Sequence, residues 1–230
     1  MLSIKGSTAV VTGGQRGLGK AIVAELLERG AAKVYATARV PQDSTDPRVI
    51  SVPLDVTDAD SVAALSKTAP DAQIVINNAG IAGGHSLLGD DFEEIRAIFE
   101  TNVFGALRVA RVFAPILAQN GGGALVDIHS VLSWMGGYGA YGASKAAFWS
   151  VTNSLRVELE KQGTLVTGVH LGFTDTDMIA DVRAPKNDPR QVARDILDAV
   201  ERGDAEVLAD ELTRRVKASL SGPVEALQAR

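Results

Sequence analysis

The chain contains no cysteine. That absence excludes disulfide scaffolds, zinc–thiolate sites, iron–sulfur clusters and cysteine nucleophiles. Histidine is scarce too. His85, His129 and His170 are far apart and show no metal-ligand spacing, so no metal site is expected. No run of about 18 apolar residues occurs, so no membrane-spanning helix is expected. Residues Met1 to Lys5 lack the apolar stretch of a signal peptide. Basic residues are not in excess: 23 Lys and Arg face 28 Asp and Glu, a net charge of −5. That balance argues against a nucleic-acid binder or a polybasic membrane binder. The expectation is a soluble protein of the reducing cytoplasm.

What is present is a core. Of 230 residues, 46% are hydrophobic, enough to bury a substantial interior in one large domain spanning residues 1–230. Short β-branched runs alternate with longer stretches of helical period. The strands are expected at Thr8–Thr12, Lys33–Thr37, Val49–Pro53, Ile74–Asn77, Ala124–Ile128, Leu165–His170 and Glu206–Leu208. They are mostly apolar, as strands covered on both faces are. Helices are expected at Leu18–Arg29, Asp58–Thr68, Phe92–Gln119, Tyr141–Gln162, Gln191–Arg202 and about Leu212–Leu220. The segment Val40–Arg48 is too short for a crossover helix, so a loop or one helical turn is expected there. The class is α/β: a doubly wound parallel sheet of about seven strands with helices on both faces.

The first strand runs into Gly13-Gly14-Gln15-Arg16-Gly17-Leu18-Gly19, and a helix follows. Glycines let backbone approach a ligand closely, and a helix N-terminus offers free N–H groups to a phosphate. An ordinary glycine-rich turn would look the same, and the spacing is G-x-x-x-G-x-G rather than G-x-G-x-x-G. Dinucleotide sheets usually carry an acid about 20 residues beyond the glycines to hold the ribose 2′-OH of NAD. Here that place holds Ala38 and Arg39. Nothing repels a 2′-phosphate, and Arg39 with Arg16 offers two cations, so NADP(H) is favoured over NAD(H). Asp55-Val56 and Asn77-Asn78-Ala79-Gly80 follow strands three and four, well placed for an adenine and a ribose. Asp55 could equally cap a helix, and the asparagines could equally be turn residues.

Tyr141-Gly142-Ala143-Ser144-Lys145 opens the helix after strand five, with Tyr141 and Lys145 on one face. A lysine ammonium beside a phenol lowers the phenol's pKa, which suits proton transfer to or from a substrate oxygen. Ser130 stands at the same sheet edge and can hold a carbonyl oxygen, or be a turn serine. Asn102 sits inside the long helix, where asparagine is a poor choice without a polar task.

Taken together, Thr12 to Gly19, Asn77 to Gly80, Asn102, Ser130 and Tyr141-x-x-x-Lys145 resemble, in their order, the short-chain dehydrogenase/reductase family over about residues 4 to 178. The resemblance implies a Rossmann-like seven-stranded sheet and an NAD(P)-dependent oxidoreductase. It implies Tyr141 as general acid/base, Ser130 as the residue orienting a substrate carbonyl, and Lys145 as the residue that binds the nicotinamide ribose and lowers the tyrosine pKa. It implies Asn102 as anchor of a proton-relay water. It carries the cofactor role to Gly13, Gln15, Arg16, Gly17, Leu18, Gly19, Arg39, Asp55, Val56, Asn78, Ala79, Gly80, Gly172, Thr174 and Thr176. It also implies at least a homodimer, or a homotetramer, paired through the helices at Phe92–Gln119 and Tyr141–Gln162. The chain departs from the family in Leu171-Gly172, where Pro-Gly is usual, in a short Ser130-to-Tyr141 spacing, and in a C-terminus without the glycine-rich ending.

Trp134, Met135, Tyr138, Phe173, Met178 and Ile179 are expected as walls of an apolar substrate pocket, and residues Met178 to Asn187 as a partial lid. His129, next to Ser130, reads either as a strand-end histidine or as a ligand contact. Phe148 and Trp149 read as core or interface residues. The favoured function is an NADP(H)-dependent carbonyl reductase. A non-catalytic NADP(H) sensor, which would predict a damaged catalytic set, and a dehydratase or epimerase on the same fold are the alternatives.

Overall fold

Each apolar run becomes a strand and each stretch of helical period a helix. The computed structural model describes residues 2–84 and 86–228. In chain order the elements are β1 (Thr8–Val11), α1 (Gly17–Glu28), β2 (Lys33–Ala38), β3 (Val49–Pro53), α2 (Ala59–Thr68), β4 (Ile74–Asn77), α3 (Phe92–Phe99), α4 (Ala106–Gln119), β5 (Ala124–Ile128), α5 (Gly139–Leu159), β6 (Leu165–His170), α6 (Pro189–Arg202), β7 (Glu206–Leu208) and α7 (Glu211–Ala218). The seven strands form one sheet in the order β3-β2-β1-β4-β5-β6-β7, and every neighbouring pair is parallel. This is the doubly wound α/β sheet expected from the sequence. Its order reverses between β1 and β4, and the crevice beyond their carboxyl ends is where such sheets take ligands.

Alternation along each strand divides the core. Ala9 and Val11 face one side with Ile22, Leu26, Ile196 and Val200 of α1 and α6. Val10 faces the other side with Val62, Leu65, Val109 and Phe113 of α2 and α4. The link from β2 to β3 forms no helix and consists of bends, extended backbone and one turn. Helix starts follow side-chain chemistry. Asp58 caps α2 by accepting from the Asp60 N–H, and Asp188 caps α6, whose first residue is Pro189.

Helix bounds differ from expectation by up to three residues, and one helix differs in form. α5 starts two residues before Tyr141 and ends at Leu159, followed by a 3₁₀ turn over Glu160–Gln162. The stretch Phe92–Gln119 is helical throughout but contains a π-helical segment, Glu100–Gly105, between α3 and α4. Its length and composition would suffice to cross a membrane. Its apolar side instead packs inward: Val109, Phe113 and Leu117 lie on the sheet and Val103 lies against Phe148.

Candidate functional site

The β1–α1 connection forms a tight cradle. Gly13 and Gly17 adopt φ of 63° and 51°, the left-handed region that glycine tolerates. A β-carbon on Gly19 would overlap the Gly13 carbonyl oxygen and stand 2.5 Å from Asn78 Nδ2. The loop is held from three strands. Gly14 N–H donates to the Thr37 carbonyl, and Gly13 N–H donates to Thr37 Oγ1. Asn78 Nδ2 donates to the carbonyls of Thr12 and Gly13. The backbone N–H groups of Asn78 and Ala79 both donate to Thr12 Oγ1. The Asn78 side chain, expected near an adenosine ribose, is therefore engaged with the glycine loop. Gln15 is likewise engaged: its amide exchanges two 2.8 Å bonds with the Gln42 backbone and donates to Ser51 Oγ.

Arg16 and Arg39 flank this cradle. Both are exposed, and neither guanidinium has an ion-pair or hydrogen-bond partner among the described residues. Asp55 Oδ1 accepts from the N–H and hydroxyl of Thr57. Those bonds, with Arg39 nearby, hold its carboxyl below the ordinary range. Asp55 is thus a turn residue, and Asp58 is the helix cap. Val56 is buried against the place where Gly105 has no side chain.

The four polar residues of the expected catalytic set converge at the carboxyl end of β4 and β5. Asn102, 1% exposed, is turned inward by the π-helical segment. Its Oδ1 accepts from the Ile81 N–H, and its Nδ2 donates to the Ile81 carbonyl and to Ser144 Oγ. Ser144 in turn donates to the Tyr141 carbonyl. Asn102 thereby ties the loop after β4 to the first turn of α5. A β-carbon on Gly80 would stand 3.2 Å from Asn102 Oδ1 and 3.8 Å from Lys145 Nζ, so these groups meet at one point.

Lys145 Nζ donates to the Ile128 carbonyl at 2.8 Å and lies 5.8 Å from the centroid of the Tyr141 ring. Burial lowers its pKa to about 8, while Asp127 pulls the other way. Asp127 is fully buried beneath it, accepting from Asn77 Nδ2 and Thr152 Oγ1. Burial raises its pKa to about 6 despite those bonds, so at neutral pH it is a carboxylate balancing the lysine. Burial pushes the Tyr141 phenol up to about 12, and a hydrogen bond with Ser130 offsets part of the rise. The expectation that Lys145 lowers the phenol's pKa is not met here. The ammonium is directed to a backbone carbonyl, and desolvation of the phenol dominates.

The other expected residues divide. Gly172, Thr174 and Thr176 follow β6, and Thr176 Cγ2 stands 3.2 Å from where a Gly17 β-carbon would be, so this segment faces the glycine cradle. Tyr138 is partly buried beside Gly142, and Phe173 and Met178 are partly exposed. Trp134 departs from its expected place. It is 7% exposed, stacked on His170 with centroids 4.0 Å apart, and packed with Val131 and Val216. Met135 and Trp149 pack on that same cluster. Trp134 belongs to the packing of α7 and not to a pocket wall, because aromatic faces are buried where apolar partners are available. His129 is buried edge-on to Phe148, 4.7 Å between centroids, and neither ring nitrogen has a partner among the described residues. It is the strand-end histidine. His85 lies outside the described residues. No group of three side chains able to hold a metal occurs among the described residues.

Sequence reasoning missed Asp127, Thr152 and Ser144. A lone acid at the centre of an apolar strand was the available signal for Asp127, since a buried charge needs a partner.

The family model for short chain dehydrogenases matches residues 7–187. The chain belongs to the short-chain dehydrogenase family. It is therefore an oxidoreductase by kinship. It is 34% identical over 221 residues to an uncharacterized oxidoreductase of Myxococcus xanthus, covering 87% of this chain and 86% of that one. It is 32% identical over 217 residues to the 3-oxoacyl-(acyl-carrier-protein) reductase FabG of Vibrio cholerae, covering 84% and 88%. A crystal structure of a short chain dehydrogenase from Burkholderia cenocepacia in complex with NADP is 36% identical, covers 98% of this chain and 97% of that chain, and superposes with a TM-score of 0.92.

Proposed function

We propose that this family member reduces a ketone or aldehyde carbonyl with NADPH, or oxidises the corresponding alcohol with NADP. The observation that carries the reading is the meeting of Ser130, Tyr141, Lys145 and Asn102 beside the glycine cradle. The residues present fit a dinucleotide. The cradle leaves no room for a β-carbon at Gly19, the N-terminus of α1 opens beyond it, and the exposed Arg16 and Arg39 suit a 2′-phosphate. The NADP carried by the Burkholderia cenocepacia relative supports the same choice.

When bound, the nicotinamide supplies or accepts the hydride. The chain supplies the proton and the geometry. A phenol with a pKa of about 12 is protonated at neutral pH, which suits Tyr141 as the acid that protonates a carbonyl oxygen. The Ser130 hydroxyl, turned from Tyr141 to the substrate, donates to that same oxygen and stabilises charge developing on it. Lys145, mostly cationic below its pKa of about 8, stands 5.8 Å from the centroid of the Tyr141 ring and puts a positive charge on that side of the site. Asn102 holds the first turn of α5, and so Tyr141, through Ser144. Tyr138, Phe173 and Met178 give the rim an apolar character that suits an uncharged carbonyl compound.

The test is oxidation of NADPH and NADH, followed by absorbance over a panel of ketones, aldehydes and quinones. Turnover with NADPH is expected, falling by about 10²–10⁴ in Tyr141→Phe with the fold unchanged. Full activity in that variant would refute the assignment. We also infer at least a homodimer through α4 and α5. Phe104, 48% exposed, and Val157, 71% exposed, are large apolar side chains left uncovered on and beside these helices. Light scattering that returns a monomer of 24.1 kDa would refute it.

A further inference from the structure

A single carboxylate gathers the neck of the loop after β6. Asp210 lies between β7 and α7. Its Oδ2 accepts from the Gly172 N–H at 2.6 Å and from Asn187 Nδ2 at 2.7 Å. Those donors stand at the two ends of the loop. Between them, Asn187 N–H donates to the Phe173 carbonyl at 2.7 Å, and Asp175 N–H donates to the Asn187 carbonyl at 3.0 Å. Thr174 and Asn187 form an isolated parallel bridge. The loop so closed carries Thr174 and Thr176, the latter against Gly17 of the glycine cradle, and the partly exposed Phe173 and Met178.

The other oxygen, Oδ1, accepts from the Thr213 N–H at 2.8 Å and caps α7. Asp210 N–H donates back to Thr213 Oγ1, completing a capping box. Thr213 is fully buried, and Val216 packs α7 onto Val131 and Trp134. The carboxylate therefore joins the 172–187 loop to a packed helix. Burial alone would raise its pKa. The donors from Gly172, Thr213 and Asn187 outweigh burial and hold it low, so it is charged at neutral pH and its bonds are charge-assisted.

We propose that Asp210 is a positioning residue, the clasp that fixes the 172–187 loop in place over the candidate cofactor site. The proposal rests on the reading of that site given above. Asp210 touches neither the catalytic set nor the cradle. It acts through Gly172 and Asn187, and its effect falls on ligand affinity and loop order more than on the proton-transfer step.

The test compares Asp210→Ala, Asp210→Asn, Asn187→Ala and Thr213→Val by amide hydrogen exchange and by NADPH titration. In Asp210→Ala, exchange across 173–187 is expected to rise about tenfold or more, and NADPH affinity to fall by a similar factor, with KM rising more than kcat falls. Asp210→Asn keeps one acceptor oxygen and should recover part of both. Asn187→Ala removes one of the two loop bonds without touching α7, so exchange should rise in 173–187 and stay unchanged in 211–218. Thr213→Val weakens the cap of α7 but leaves the clasp, so the loop should keep its protection. Equal loosening of the loop in Thr213→Val would show a general effect of α7 stability and overturn the proposal. Unchanged exchange in Asp210→Ala would also overturn it. If Asp210→Ala does not fold, unchanged exchange in Asn187→Ala overturns it instead. Should the unaltered protein bind neither NADPH nor NADH, the functional reading fails, while the exchange data still judge the clasp.

Discussion

Acidification from pH 7 to pH 5 should destabilise this protein through two buried histidines. His129 and His170 are 1% and 0% exposed, with ring centroids 4.9 Å apart. His170 Nδ1 donates weakly to the Ser130 carbonyl at 3.4 Å, because a carbonyl can only accept. Its other nitrogen has no hydrogen-bond partner among the described residues and stands 3.8 Å from Glu206, which Lys217 already holds. Burial, with Lys217, Lys145 and Arg156, lowers the pKa of His170 to about 3, against the bond to the Ser130 carbonyl, which raises it. Burial, His170, Lys145 and Arg156 place His129 well below its ordinary value. For a histidine depressed in the folded state, the unfolded chain binds more protons between the two pKa values, so stability falls as pH falls below about 6.5. At pH 5 His170 contributes a loss of about 2 kcal/mol, and His129 adds a loss in the same direction.

Asp127 opposes them. Its raised pKa of about 6 means that the folded state binds the extra proton as pH falls, a gain of about 1 kcal/mol at pH 5. The carboxylates held low, such as Asp71 and Asp210, lose their contribution only below about pH 4. The net is a loss of at least about 1 kcal/mol, because His129 adds to that of His170. The assay is urea unfolding at pH 7, 6 and 5 for the unaltered chain, for His129→Leu and for His129→Leu with His170→Asn. Leucine is chosen because neither nitrogen of His129 has a partner among the described residues, and asparagine because it keeps a donor near the Ser130 carbonyl. The single variant should lose part of the pH dependence. The double variant should reverse its sign, leaving only Asp127. Equal stability of the unaltered chain at pH 7 and pH 5, or an unchanged slope in the variants, would refute the reasoning.

Gly19→Ala forces a β-carbon onto the Gly13 carbonyl. It should cost about 1–3 kcal/mol and abolish dinucleotide binding, and thermal unfolding with titration calorimetry would check both. Arg39→Ala removes an exposed charge with no ion-pair or hydrogen-bond partner among the described residues, so stability should stay within about 0.5 kcal/mol. NADPH binding should weaken by about ten- to a hundredfold and NADH binding should not change. Equal losses for the two cofactors would remove Arg39 from 2′-phosphate recognition.

The sequence alone determined the sheet, because the strands are mostly apolar runs and the helices between them carry an apolar stripe or a start or stop signal. It determined that β2 and β3 are joined without a helix, because the intervening chain is too short for one. It also singled out Ser130, Tyr141, Lys145 and Asn102, whose residue types and spacing carry information without coordinates. Tertiary structure decided what those side chains touch. Asn78 and Gln15 have the types of ligand contacts, yet their amides are taken by Thr12 and Gln42, 66 and 27 residues away. Trp134 is near Ser130 in sequence, yet α7 covers it from the far end of the chain. The phenol's pKa followed the same rule. Helical spacing put Lys145 on its face, but the Ile128 carbonyl drew the ammonium aside and burial prevailed. Side-chain partners and desolvation are sums over neighbours distant in sequence, and local pattern holds no record of them.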